Sequence, residues 1–431
     1  MLNLNLMLGV AWTNDVNLDA SFWLRAIAAF FTCLVALTAF DGHVKRVERR
    51  SRKSGPKPRL PFAVVTALAL VPSPAGAEQT TEQSANAPQP QATPSITIGA
   101  FVETYLGWNF NRPQNGMTAF RGFDSRHDSF ALSNAVIDTR WSAGGVSGRL
   151  AVQTGDTPDI YYGAEATSDV RHILEATVAW KAPVGEGLTL DGGVFLSPVG
   201  PETILIKDNW TWSRSTLFFG LPFYHAGMRV TYPVSERWNL TGGVCNGWNN
   251  VTDTNGKKSV SVQATYARPD KVTGSLLYFG GVERPRGAVE GQPWRHLFDA
   301  HITAAVSPTL SLQAHADTGF ENTTFGRSSW RAAAIAARVK ANAWLSVAGR
   351  ADILDETIPK SGAGTASALF FPTTRVRSLT ATLDARPADH MSVRLEFRRD
   401  VAADPIYFKG AVSTPSAKSQ STLTFGLTAW F

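Results

Sequence analysis

From Ile96 onward the chain alternates apolar and polar side chains. Leu310, Leu312, Ala314 and Ala316 are interleaved with Ser311, Gln313, His315 and Asp317. Met391, Val393, Leu395 and Phe397 stand between Ser392, Arg394, Glu396 and Arg398, and Val260, Val262, Ala264 and Tyr266 between Ser259, Ser261, Gln263 and Thr265. A strand turns successive side chains to opposite faces, so each segment predicts one apolar and one polar face. About sixteen such segments recur at a spacing of roughly 20 residues: 95–110, 128–142, 145–155, 172–182, 186–197, 223–234, 237–248, 258–268, 271–283, 295–306, 309–319, 328–340, 342–354, 374–387, 389–400 and 420–431. The phase of 271–283 and 328–340 is ambiguous. Nowhere from Ile96 on are there 18 consecutive apolar residues, so a membrane-spanning helix is not predicted there.

The last segment ends the chain on an aromatic residue. Leu423, Phe425, Leu427, Ala429 and Phe431 are apolar, while Thr422, Thr424, Gly426, Thr428 and Trp430 fill the other face. An edge strand of a soluble sheet and the closing strand of a barrel both fit this stretch alone. The connections separate them. Short turns at 143–144, 183–185, 233–236, 268–270, 307–308, 341 and 386–388 alternate with longer connections at 111–127, 156–171, 198–222, 249–257, 284–294, 320–327, 355–373 and 401–419. A meander with turns on one side and loops on the other predicts an all-β fold, a transmembrane antiparallel up-and-down barrel of about 16 strands (14–18). Closure also removes the unpaired edges that lipid would not tolerate. Trp108, Trp141, Trp180, Tyr232, Trp238, Trp248, Trp344 and Trp430 lie near predicted strand ends, where aromatic rings settle at membrane interfaces.

The amino-terminal region changes how the charge is read. Residues 1–77 hold nine of the 41 Lys and Arg and four of the 35 Asp and Glu, leaving 32 basic against 31 acidic groups. The remainder is nearly neutral, which removes the basis for a nucleic-acid partner. A basic block (Arg49, Arg50, Arg52, Lys53, Lys57, Arg59), the apolar run 62–71 and Ala75-Gly76-Ala77 predict a signal peptide over 48–77, cleaved after Ala77. Residues 1–46 are either a mis-assigned start or a long extension of the signal. Residues 78–95, rich in Gln, Thr, Ala and Pro, predict a disordered periplasmic spacer before a barrel over 96–431.

With the apolar sides toward lipid, the polar sides define a lumen lined by Glu103, Asp138, Arg140, Arg149, Glu175, Asp191, Arg229, Asp299, His301, His315, Asp317, Arg338, Arg350, Asp352, Asp384, Arg394, Glu396 and Arg398. About sixteen strands enclose an aqueous channel rather than a packed interior. Arg140, Arg149, Arg338, Arg350, Arg394 and Arg398 fall in one broad sector once the last strand closes on the first. They form an anion-favouring ladder, or they are neutralised by neighbouring carboxylates. The connection 198–222 carries Ile204–Ile206, Trp210 and Trp212 beside Lys207, Asp208 and Arg214. So many large apolar groups predict inward folding as a constriction tuned by Lys207, Asp208 and Arg214, with a cap or a subunit contact as the alternatives.

Other chemistry is sparse. No Gly-rich phosphate loop, HExxH pair or nucleophile elbow is present, so neither a cofactor nor a metal is expected. Asp156, Asp159 and Asp253 beside Asn255 read as turn formers rather than a calcium site. His301 and His315 face each other on adjacent strands without a defined Ser or Asp partner, and Cys245 stands alone.

The stretches GAFVETYLGWNF (99–110), GLPFYHAGMRVTYPV (220–234) and LTFGLTAWF (423–431) resemble the OmpL-like β-barrel porin family of Gram-negative bacteria. The resemblance spans nearly all of the chain from Ile96 and implies an outer-membrane pore for small hydrophilic solutes, without transferring a substrate. The terminal strand likewise resembles the signal read by the barrel-assembly machinery, with Phe425, Leu427 and Phe431 as its anchors. Outer-membrane lipid, solute and two further copies in a homotrimer are the expected partners. A plugged, ligand-binding or adhesive barrel is the alternative, and an outer-membrane enzyme is a more remote one.

Overall fold

The computed structural model describes residues 93–431 except 164, 166 and 167. The predicted leader, and the spacer up to residue 92, lie outside the described residues. Sixteen strands close into one antiparallel barrel: β1 Ser95–Asn109, β2 Ser129–Ala143, β3 Val146–Thr154, β4 Ile173–Ala182, β5 Leu188–Leu196, β6 Tyr224–Pro233, β7 Trp238–Cys245, β8 Ser259–Arg268, β9 Val272–Val282, β10 Trp294–Ala305, β11 Leu310–Thr323, β12 Gly326–Lys340, β13 Leu345–Thr357, β16 Arg375–Ala388, β17 Met391–Ala402 and β18 Ser419–Trp430. The two-residue strands β14 (Lys360–Ser361) and β15 (Gly364–Thr365) form a small hairpin inside the connection before β16. All sixteen predicted segments are barrel strands, the two of ambiguous phase included.

Each strand pairs with its sequence neighbour in the barrel, and β18 returns to β1, with Trp430 opposite Phe101 and Leu427 opposite Thr104. Phe431 extends the seam by exchanging backbone hydrogen bonds with Ala100 at 3.0 and 3.3 Å. The alternation is resolved as predicted. Ile137, Val178, Met228, Val262, Phe298, Ile335, Leu379, Phe397 and Phe425 are exposed on the outer wall, while Glu103, Asp299, Arg350, Thr380, Arg394, Glu396 and Thr424 are buried on the inner one. An outer wall this apolar matches a lipid band. Trp141, Trp180, Tyr232 and Trp344 are exposed at the short-turn end and form an aromatic girdle. Trp248 does not join it. Its ring packs inward against Phe279, Trp330 and Phe370.

One predicted long connection, 320–327, is a tight turn instead. β11 and β12 run on until Thr323 pairs with Gly326, because alternation continues through Phe320, Asn322, Arg327 and Ser329. The connection after β3 carries the short helices α1 (Asp156–Tyr161) and α2 (Ser168–Arg171), and the one after β5 carries 3-10 turns at Ile206–Asp208 and Leu217–Gly220. The apolar core lies inside the barrel. Ile204, Leu205, Ile206, Trp212 and Phe218 of that connection pack with Phe101, Tyr105, Phe123, Tyr161 and Tyr224.

Candidate functional site

A connection without regular secondary structure leaves its peptide groups in need of partners, and inside a barrel only the wall can supply them. Between β5 and β6 the chain leaves the rim and runs through the lumen, and the wall meets it with charge. Gly200 N donates to Asp299 on β10 at 3.3 Å. Ile206 N and Lys207 N donate to Glu103 Oε1 on β1 at 2.7 and 3.3 Å. Trp212 N and Ser213 N donate to the two oxygens of Glu396 on β17 at 2.5 and 2.9 Å. Thr216 gives both its N–H and its hydroxyl to Asp352 Oδ1 on β13, at 2.8 and 2.7 Å.

Arginines take the carbonyls. Arg394 donates to Ile206 O at 2.9 Å and Thr211 O at 3.3 Å. Arg350 donates to Ser213 O at 2.8 Å and pairs with Glu202 at 2.9 Å, and Arg398 donates to Arg214 O. Hydrogen bonds with one charged partner are about twice as strong as neutral ones, so this set clamps the loop. Arg214 works within the loop. Its guanidinium donates to Thr203 O, Trp212 O and Ile204 O at 2.7, 2.5 and 2.8 Å and lies 3.8 Å over the Phe123 ring. Burial pushes that guanidinium below the usual arginine range.

The closing strand makes room for the loop. A Cβ on Gly426 would stand 2.2 Å from the Trp212 ring, so only glycine fits opposite it. Trp212 is fully buried, and its Nε1 donates to Phe123 O at 3.3 Å. Strand, loop and lumen are one packed assembly here.

The family described as "Putative beta-barrel porin-2, OmpL-like" matches residues 95–431. The chain belongs to this family. It is therefore an outer-membrane barrel of porin type, as the resemblance implied. Among solved structures, the anion-selective porin from Comamonas acidovorans superposes with a TM-score of 0.54 at 10% identity, over 78% of this chain and 100% of that one. OmpT, an outer membrane protein of Vibrio cholerae, gives 0.52 at 8% identity over 78% and 98%. Its trimer form gives 0.51 at 8% identity over 79% and 100%. At such identities the likeness is one of fold. The F17e-G fimbrial adhesin of Escherichia coli is 28% identical over 107 residues, so the chain spans 31% of that relative's length and the match takes in 24% of this chain.

The porin divides its lumen charges into two groups. Glu103, Asp299, Arg350, Arg394, Glu396 and Arg398 are almost fully covered, and each is hydrogen-bonded to an N–H group or a carbonyl of the loop. They face protein, not water. Asp138, Arg140, Arg149, Asp191 and Arg229 retain solvent access and are linked by ion pairs: Arg140–Asp138 at 3.1 Å, Arg149–Asp138 at 2.8 Å and Arg229–Asp191 at 2.5 Å, with Arg149 also joined to Glu175. Arg338 lies 5.0 Å over the Trp210 ring of the loop. Lys207 and Asp208 pair with each other at 2.8 Å on the loop's open side.

His301 and His315 are direct register partners, with Asp299 between them: His315 Nε2 is 2.5 Å from Asp299 Oδ2, and His301 Nδ1 is 3.6 Å from Oδ1. Asp299, His315 and Asp317 hold donor atoms within 4.8 Å of one another. Asp299 spends its oxygens on histidine and Gly200 N, and Asp317 accepts Trp330 Nε1 at 2.8 Å. Asp156 pairs with Arg126, and Asp253 accepts from Asn255 N, Gly256 N and Lys258, as turn formers do. Sequence reasoning missed Arg121, which joins Asp124 and reaches Asp400 on β17 at 3.1 Å. It lies in an irregular connection, where no periodicity marks it.

Proposed function

We propose that this porin is a passive diffusion channel for small hydrophilic solutes, acting as a channel rather than an enzyme. The observation that carries the reading is the inward course of residues 198–222, held across a closed sixteen-stranded wall by charged groups. Selectivity is then set by Asp138, Arg140, Arg149, Glu175, Asp191, Arg229 and Arg338, with Lys207 and Asp208 at the constriction and Arg214 keeping the loop's shape. The trimer form recorded for the Vibrio cholerae barrel supports a homotrimer, and the exposed Phe425 and Phe431 support a terminal strand read by the assembly machinery. Purified protein in planar bilayers is the test. Stepwise ohmic channels are expected, and their absence from folded protein would favour a plugged barrel.

A further inference from the structure

At the loop end of three strands the outer wall breaks its own rule. On the ends of β12, β16 and β17 nearest the long connections, the outward positions are occupied by Arg327, Arg331, Arg375, Arg377 and Arg399. Arg327, Arg377 and Arg399 are exposed. Below them the same outward rows turn apolar, through Ile335 and Val339 on β12, Leu379 and Leu383 on β16, and Leu395 and Phe397 on β17. A cation on the lipid face is costly at the middle of a bilayer and nearly free at its interface, so the arginines mark the headgroup level of the outer leaflet.

The patch is shaped as well as charged. Arg331 sits in register opposite Asp355 of β13, which sits opposite Arg375 of β16, and Arg375 pairs with Asp355 at 2.5 Å. Arg327 lies 3.8 Å over the Phe320 ring, and Arg399 donates to Ser421 Oγ at 3.2 Å. Asp355 is the one carboxylate facing five guanidinium groups across these strands, and Arg331 and Arg377 make no ion pair among the described residues. A groove of about 600 Å³ opens among Thr318, Phe320, Arg327, Arg331, Asp355 and Arg375.

We propose that this groove, together with Arg377 and Arg399 on the outward rows of β16 and β17, binds the phosphate groups of a phosphorylated outer-leaflet lipid, whose acyl chains lie along the apolar wall beneath. The guanidinium fork matches phosphate oxygens, and neighbouring strands space the forks to hold more than one phosphate. The occupant is a lipid rather than a second copy of the chain, because the guanidinium rows stand where the outward face turns from apolar to charged, the level of outer-leaflet phosphates, and those phosphates complement their charge.

The test uses the refolded barrel in detergent, titrated with bis-phosphorylated lipid A, with the same lipid stripped of phosphate, and with inorganic phosphate. Bound lipid is counted by native mass spectrometry. The phosphorylated lipid should bind at least about tenfold more tightly than the stripped one, and R331Q/R377Q/R399Q should abolish that preference. The single variants R327Q and R331Q, both in the groove, should each weaken it, which covers a triple variant that fails to fold. Equal binding of both lipids, or a preference that survives in the variants, overturns the proposal. Inorganic phosphate binding as tightly as the lipid overturns the lipid source. Oligomers that fall apart in the variants without lipid assign the patch to subunit contacts instead.

Discussion

Glu396 is the group through which the loop inside the barrel can be tested most directly. Its carboxylate accepts Trp212 N at 2.5 Å, Ser213 N at 2.9 Å and Thr382 Oγ1 at 2.8 Å, and it is buried. Two of these bonds hold the loop, and the third holds the carboxylate to the wall. Glu396→Ala removes all three acceptor interactions and takes an opposite charge from beside Arg350 and Arg394. Hydrogen bonds to a charged partner contribute roughly 1.5–3 kcal/mol each. The two loop bonds therefore set a loss of docking free energy on the order of 3–6 kcal/mol, reduced where water enters the vacated space. At about 1.4 kcal/mol per decade, the ratio of docked to released loop falls by roughly two to four orders of magnitude. The wall keeps its backbone ladder, so the barrel should still form. In planar bilayers the variant should give larger and noisier unitary currents than the parent, with Glu396→Gln, which keeps one oxygen acceptor, in between. A Glu396→Ala barrel that retains its heat-modifiable gel mobility but conducts like the parent would show that the loop does not set the pore.

Other perturbations separate the parts of this arrangement. Gly426→Ala drives a methyl group into Trp212, 2.2 Å away, and should cost about 1–3 kcal/mol of loop docking; trimming the ring with Trp212→Leu in the same chain should restore the parental current, and failure to do so would separate the two residues. Arg140→Glu, on a side chain 60% exposed, should move the reversal potential toward cations, and an unmoved potential would remove it from the conduction path. Glu290, pulled down to about 2 by hydrogen bonds from Ser367, ties the connection after β9 to the one before β16. A depressed carboxyl stabilises the fold above its ordinary value near 4.5 and loses that contribution as pH falls through about 2, so hydrogen exchange at Ser367 should rise across that window and stay flat above it. Deleting Phe431, whose backbone pairs with Ala100, should lower the yield of assembled barrel while leaving the conductance of folded molecules unchanged, and a normal yield would count against its role as a signal.

Strand positions were legible because lipid outside and polar groups inside impose period two along every strand. The phase stayed ambiguous at 328–340 because Ala332, Ala333, Ala334, Ala336 and Ala337 suit either face. The β14–β15 hairpin escaped notice because two residues per strand cannot show a period. Inward folding of 198–222 was legible from its apolar content. Its fastenings were not, since Glu103, Asp352 and Glu396 lie between 103 and 184 residues away from the N–H groups they hold. Trp248 shows the same limit from the other side: its position near a strand end matched an interface ring, while its actual neighbours come from β9, β12 and the connection before β16.

Alternation assigns a charged side chain to the inside of a barrel but does not distinguish water from protein as its neighbour. For Arg394 and Arg398 that distinction reverses the meaning of a substitution. Had they faced water, changing them to Glu would tune ion preference. Buried against Ile206 O, Thr211 O and Arg214 O, they are donors to the loop, and Glu there would set an acceptor against an acceptor and expel it. Such a variant would alter current through pore size before it altered selectivity. The solvent-accessible pairs Arg140–Asp138 and Arg229–Asp191 lie on β2, β5 and β6, away from the Arg394–Arg398 strand β17. The lumen thus has a structural sector and a wet sector, and only charge changes in the wet one isolate the field that a passing ion would meet.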